Sequence, residues 1–180
     1  MTPLTRIIHT RGFSASRLGR DGPWLCIVIL PAILFIVLHR VALDTNVLVA
    51  ALRSDRGASR RLLLGALERR YQLVASVPLM IEYEAVLSRD EHLLASGLSA
   101  EEVHTLLDTV AMVAEPVRLA YLWRPLLTDT DDDMVLETAI NGRAKMLVTL
   151  NLRDFTAAKG LFDVEILSPA GALEWLRKRP

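Results

Sequence analysis

Residues 40–52 read RVALDTNVLVAAL, and their pattern sets the fold class. Val41, Ala42 and Leu43 form an apolar run too short for a helix, flanked by charges at Arg40 and Asp44, which is the signature of a short buried strand. Asp44 stands where an oxygen-bearing side chain caps a helix, and Val47 to Arg56 is a helix-favouring stretch. A strand that passes into a helix through a single aspartate predicts alternating strands and helices.

Downstream the alternation repeats. A second helix is expected over Ser59 to Arg70, and YQLVAS (71–76) is a second strand. Pro78 suits a helix start, and LMIEYEAVLSR (79–89) carries apolar residues at helical spacing, which puts Glu82 and Glu84 in one helix. LSAEEVHTLLDTVAMV (98–113) opens another, with Ser99 and Glu102 as a capping box. A strand near Ala114 to Val117 precedes TDTDDDMVLETAINGRA (128–144), expected to turn helical at about Thr130 or Asp131. KMLVTL (145–150) is a strand, NLRDF (151–155) a loop and VEIL (164–167) the last strand. SPAGALEWLRK (168–178) closes the chain as a helix, with Ser168 as cap and Pro169 at its first position.

Strands separated by helices imply an α/β fold with a central parallel sheet, right-handed crossovers and helices on both faces. In such a sheet ligands bind beyond the carboxyl ends of the strands. Asp44 ends the first strand, and Asn151 and Asp154 follow the MLVTL strand, so these residues are expected at one edge.

The bulk numbers fit one domain and an appendage. Of 180 residues, 52% are hydrophobic and 23% charged, which suits a filled core and excludes a disordered or fibrous chain. The single cysteine, Cys26, can close no intramolecular disulfide and has no partner at zinc-ligand spacing. A reducing compartment, the cytoplasm, is the expected home.

The formal net charge of zero hides an asymmetry. Residues 1–38 hold Arg6, Arg11, Arg17 and Arg20 against Asp21 alone, leaving 17 basic and 20 acidic residues from 39 onward. Such a domain is no generic polyanion binder, so nucleic-acid contact needs a local basic patch or metal ions. Within the extension, Trp24 to Leu38 is an apolar run interrupted by Pro31 and shorter than a spanning helix wants. Residues 1–38 are therefore expected to be an N-terminal extension: an upstream segment ahead of a start near Val37 or Leu38, a membrane anchor, or a signal segment that lacks a small-residue cleavage site. The domain proper is 39–180.

Each acid taken alone has a structural explanation. Asp44 can cap a helix, Asp129, Asp131, Asp132 and Asp133 can complement a helix dipole, Glu82 and Glu84 can face water, and Asp154 can hold a turn. Their joint order changes the reading. LDTNVLVAAL, VPLMIEYEAVL, TDTDDDMVLETA and LVTLNLRDF resemble the PIN-domain family in order, spacing and context from Arg40 to about Arg177, and most of all the VapC-like toxin components of toxin–antitoxin pairs.

The resemblance implies a three-layer α/β/α PIN-like fold and a metal-dependent endoribonuclease leaving 5′-phosphate and 3′-hydroxyl ends. It implies Asp44, Glu82, Asp132 and Asp154 as catalytic metal ligands for one or two Mg²⁺ or Mn²⁺ ions. Asp131 and Asp133 are each one residue from the third of these. It further implies that Asn46 steadies Asp44 and that Thr149 shapes the pocket. Asn151 stands where other members can carry aspartate. An RNA substrate, a cognate antitoxin protein and a homodimer are the partners implied.

Crowded carboxylates call for a compensating cation, and an oxygen-only donor set suits Mg²⁺ or Mn²⁺. No serine, cysteine or histidine nucleophile is needed; His92 and His104 lack a paired carboxylate motif. Arg53, Arg56 and Arg60 recur at about one helical turn and are the expected RNA-binding stripe, against a solvated helix face as the plainer reading. Tyr83, Tyr121 and Trp123 can stack on unpaired bases or pack in the core, and RLAYLWRPLL (118–127) matches no clean amphipathic helix and is an expected contact surface. Two other functions compete: a catalytically inactive PIN-like RNA-binding or scaffolding domain, and a receiver-like phosphoacceptor, which would want an acidic pair at the end of its first strand.

Overall fold

The computed structural model describes residues 38–179; residues 1–37, which hold almost all of the apolar Trp24 to Leu38 run, lie outside them. Among the described residues no helix is long and apolar enough to cross a membrane.

Among the described residues five strands, β1 (Arg40–Leu43), β2 (Gln72–Ser76), β3 (Glu115–Val117), β4 (Met146–Val148) and β5 (Glu165–Leu167), form one sheet in the order β3-β2-β1-β4-β5. All four pairings are parallel. The central strands are apolar throughout because both faces are covered: Val41, Ala42, Leu43, Met146, Leu147 and Val148 are fully buried.

Among the described residues seven α-helices complete three layers: α1 (Thr45–Arg53), α2 (Ala58–Leu67), α3 (Val77–Leu87), α4 (Asp90–Ser96), α5 (Ala100–Val113), α6 (Thr130–Asn141) and α7 (Pro169–Lys178). From β1 the chain steps outward to β2 and then β3, with α1 to α5 on one face. It then returns through α6 to β4 on the other side of β1, and a right-handed return places α6 on the opposite face. β1 and β4 are therefore adjacent strands whose connections diverge, the topological switch point at which a crevice opens beyond the carboxyl ends.

Local chemistry explains the boundaries. Asp44 caps α1 through Asn46 N–H, so the helix begins at Thr45, two residues before the apolar stretch that predicts it. The capping box of Ser99 and Glu102 forms as its spacing requires, and Ser76 and Ser168 cap α3 and α7 ahead of Pro78 and Pro169.

Three expectations are corrected. α1 ends at Arg53 and α2 begins at Ala58, because Gly57 starts a new helix where one continuous stretch to Arg56 is expected. α2 stops at Leu67, three residues before Arg70, where the backbone turns left-handed at Arg69 with φ 54°. The stretch after Leu87 turns at Ser88 and Arg89 into the separate helix α4. At Gly142 a Cβ would meet the Thr138 carbonyl oxygen and Val117 Cγ2, each at 2.8 Å, so only glycine lets α6 pass this close to β3.

Candidate active site

Asp44 sits at the carboxyl end of β1, only 5% exposed, and its amide donates to the Val148 carbonyl of β4 at 2.9 Å. Its carboxylate is gripped from two sides. Thr149 Oγ1 and Asn46 Nδ2 each donate to Oδ2 at 2.6 Å, and the Asn46 amide approaches Oδ1 at 3.4 Å. Asn46 also joins the two strand ends: its Oδ1 accepts from Leu150 N–H at 3.1 Å, while its Nδ2 reaches Thr149 Oγ1 at 3.2 Å. The Thr149 hydroxyl in turn accepts from Asn151 N–H at 2.9 Å. Burial pushes the Asp44 carboxyl up, and the hydrogen bonds from Thr149 and Asn46 pull against it.

Glu82 lies on the second turn of α3, half-buried. Desolvation raises its carboxyl first, then the charge of Asp131; Arg89 opposes, and Asp129 and Asp44 add to the rise. Glu84, two residues on, is exposed and stands 3.5 Å from His104. Tyr83 between them is fully buried and donates its hydroxyl to the Leu43 carbonyl, pinning α3 to the end of β1. Of the two readings open to it, stacking on bases or packing in the core, the structure gives the second.

The three consecutive aspartates of α6 separate cleanly. Each residue rotates about 100° around a helix, so neighbours cannot share a direction. Asp131 is exposed. Asp133 is buried, 1% exposed, and faces inward, where it accepts Leu127 N–H at 2.8 Å and Leu126 N–H at 3.3 Å. Asp132 alone is half-buried among acids: burial, then the charges of Asp44, Asp129, Asp154 and Asp131, push its carboxyl up to about 6.

Asp154 is exposed on the loop after β4, and its amide donates to the Asn151 carbonyl at 3.1 Å. Asn151 is exposed beside it. Asp129, whose role as a cap is real, since it accepts Asp131 N–H at 3.0 Å, is a further acid of the edge, because its charge bears on both Glu82 and Asp132. Its position one residue before a capped helix hid it from sequence reasoning: a satisfied cap looks complete.

Asp44, Glu82, Asp129, Asp131, Asp132 and Asp154 thus share one edge, with the cation Arg89 beside Glu82. The edge is open. Among the described residues no three carboxylate, thiolate or imidazole groups stand close enough to enclose an ion.

Arg53, Arg56 and Arg60 do not form a stripe on one helix, since Ser54 to Gly57 breaks the backbone between them. Arg53, at the last residue of α1, lies about 13 Å along the helix from the Asp44 cap at 1.5 Å per residue, and its guanidinium meets His92 Nδ1 at 2.6 Å.

The PIN-domain family model matches residues 40–153. Among solved structures the chain is similar to VapBC2 from Rickettsia felis bound to a DNA fragment from their promoter, at 17% identity and a TM-score of 0.51 over 71% of this chain and 98% of that one. At that identity the likeness is one of fold. No curated protein matches the chain.

Proposed function

Because the chain belongs to the PIN-domain family, matched over residues 40–153, we propose that it is a metal-dependent endoribonuclease and the toxin of a toxin–antitoxin pair. The observation that carries this reading is the gathering of Asp44, Glu82, Asp132 and Asp154 at the switch point, with Asp132 held near 6 by burial and its acidic neighbours.

The donor chemistry fits a hard divalent ion. Every candidate ligand is a carboxylate oxygen, and Arg89 alone cannot offset the six acids of the edge, so a bound cation would relieve their repulsion. An open edge suits Mg²⁺ or Mn²⁺, which keep several waters and take only one or two carboxylates tightly. Asp44, Glu82, Asp132 and Asp154 would hold one or two such ions, with Asp129 deepening the negative potential. When bound, the metal makes water more acidic and neutralises charge at the scissile phosphate.

The protein's own part is orientation. Asn46 and Thr149 fix the Asp44 carboxylate from both strand ends, so it meets its ligand without reorganising. Tyr83 does the same for α3, and hence for Glu82. Asn151 contributes no charge, which leaves Asp132 and Asp154 as the acids on the β4 side.

The likeness to VapBC2 supports a cognate antitoxin protein as partner. A second copy of the chain is the other partner, and the exposed Val77, Ile81 and Met112 beside the groove between α3 and α5 form the surface available to it. With free RNA as substrate, the activity belongs in the cytoplasm. One observation favours a second reading, a catalytically quiet RNA-binding or scaffolding PIN domain: the absence of a closed ion cage among the described residues.

The test is cleavage of a mixed RNA pool by the full chain with Mg²⁺ or Mn²⁺, with EDTA, and with Asp44→Asn. Cleavage that EDTA abolishes and the variant loses by about a hundredfold or more supports the nuclease. A folded protein that cuts nothing and binds no Mn²⁺ by calorimetry supports the quiet domain.

A further inference from the structure

Between β3 and α6 the chain has no regular secondary structure, yet it is firmly tied. α6 presents Asp133, Glu137 and Asn141 on one face, at i, i+4 and i+8. Glu137, 1% exposed, accepts Trp123 N–H at 2.9 Å and two guanidinium N–H groups of Arg124 at 3.0 and 2.9 Å. Asn141 accepts the N–H groups of Ala120 and Tyr121, both at 3.1 Å, and donates to the Tyr121 carbonyl at 2.9 Å. Asp133 holds Leu126 and Leu127 at the other end. The segment therefore runs antiparallel to α6 as a strap.

A strap held this way displays its side chains in fixed positions. Tyr121 and Leu122 are 69% and 64% exposed. The Tyr121 ring lies 5.9 Å from that of Trp123 at a tilt of 40°, and Trp123 rests edge-on against Phe162, 5.4 Å away, in the segment that follows Asp154. At 1.5 Å per residue of α6, Glu137 and its tie to Trp123 lie about 7–8 Å below Asp132, and Asn141 with Tyr121 about 13–14 Å.

At the far end of the row the sign of the charge reverses. Val117 packs against Gly142, which brings the exposed Arg118 and Arg143 to the same end of α6. The sequence from top to bottom is carboxylates, aromatic rings, arginines.

We propose that the strap seats the substrate strand: unpaired bases stack on Tyr121 and Trp123, and phosphates beyond them pair with Arg118 and Arg143. The substrate class is single-stranded RNA, and this rests on the nuclease reading of the carboxylate edge. Two rings tilted against one another suit splayed bases and not the continuous stack of a duplex. Stacking is tolerant of base identity, so the strap gives register and affinity while the edge gives chemistry. The ties to α6 mean that little ordering is left to be done on binding.

The experiment measures RNA affinity by anisotropy on the full chain carrying Asp44→Asn, with one labelled oligonucleotide as a single strand and as a duplex. The single strand should bind more tightly. Adding Tyr121→Ala should weaken it about tenfold and Tyr121→Phe should not. Arg118→Ala and Arg143→Ala should each lower the salt slope by about one.

Cleavage kinetics of the chain with its native Asp44 separate this proposal from the one beneath it. Cleavage with KM unchanged by Tyr121→Ala leaves the nuclease standing and overturns the strap. A chain that neither cuts nor binds RNA overturns both. Tyr121→Leu binding as well as Tyr121→Phe, or loss of a protein partner with RNA affinity intact, would make the patch a protein-docking face and overturn the proposal.

Discussion

Asp132 bears in the folded chain a penalty, burial first and then the charges of its acidic neighbours, that it escapes on unfolding. Its carboxyl is raised from 3.8 to about 6, so the native state binds its proton more tightly than the unfolded state does. The contribution of Asp132 to stability is then greatest below about pH 4, is lost as pH rises through 6, and stays lost above it. An amide in place of this carboxyl would carry no charge at any pH and escape the loss. In EDTA at pH 7.5, Asp132→Asn should therefore melt about 2–4 °C above wild type, which corresponds to a gain on the order of 1 kcal/mol once solvent screening of a half-exposed group is allowed for. At pH 4 the difference should close. Excess Mn²⁺ should invert the order, because only the wild type gains fully from binding. Scanning calorimetry decides it, and a variant that melts below wild type in EDTA at pH 7.5 would show that burial and its neighbours do not penalise the Asp132 charge. The choice among the three adjacent aspartates was illegible in the sequence for a plain reason: spacing along a chain does not say which way each side chain of a helix points, and only the inward Asp133 and the acid-facing Asp132 reveal it. Tyr83 stayed open between stacking and core packing on the same ground, and its helical direction, about 100° from Glu82, turns it into the core.

At the scale of elements, α3, which carries Glu82, and α6, which carries Asp132, pack against one another and are joined by a relay of hydroxyls. Leu79 N–H donates to Ser76 Oγ at 3.3 Å, Ser76 Oγ meets Thr138 Oγ1 at 2.7 Å, and Thr138 donates onward to the Met134 carbonyl at 2.9 Å. The last bond fixes the direction of the one before it, with Ser76 as donor. Thr138→Val keeps the shape but leaves that buried proton without an acceptor, at a cost of about 1–3 kcal/mol. Urea unfolding should show this as a lower midpoint at unchanged slope. No change in midpoint would mean that the relay is not a structural tie. Elements of this kind were readable where a local rule governs them: the strands, the Ser99–Glu102 box and the Pro78 and Pro169 starts follow from short-range chemistry. The break between the first two helices was readable but its place was not, because Arg53, Arg56 and Arg60 fit a helical period whether or not a helix runs through them, and the first helix ends at Arg53 where it was expected to reach Arg56. The ties from α6 to the strap were invisible for the opposite reason, as Glu137 reads as a surface acid until Arg124 is folded against it.

For the whole molecule, the order β3-β2-β1-β4-β5 puts the switch point and its acids on one edge and leaves the groove between α3 and α5 to the side. That groove, about 410 Å³, is floored by Met80, Leu107 and Ala111, and Val77 at 70% and Met112 at 73% exposure stand beside it. Apolar side chains this open on two neighbouring helices are a surface that a second copy can cover with its own equivalent residues, as two-fold symmetry requires. Glu82 projects from the same helix, so two such chains would set their carboxylate edges at a fixed spacing. The full chain should sediment at twice its 20.0 kDa mass. Val77→Glu with Met112→Glu should return it to a single copy, since like charges would meet across the axis, while the far-ultraviolet spectrum stays unchanged because both positions are exposed. A wild type that sediments as a single copy at every concentration, or a double variant that still pairs, would remove the α3–α5 face as the dimer surface and leave each carboxylate edge to act alone.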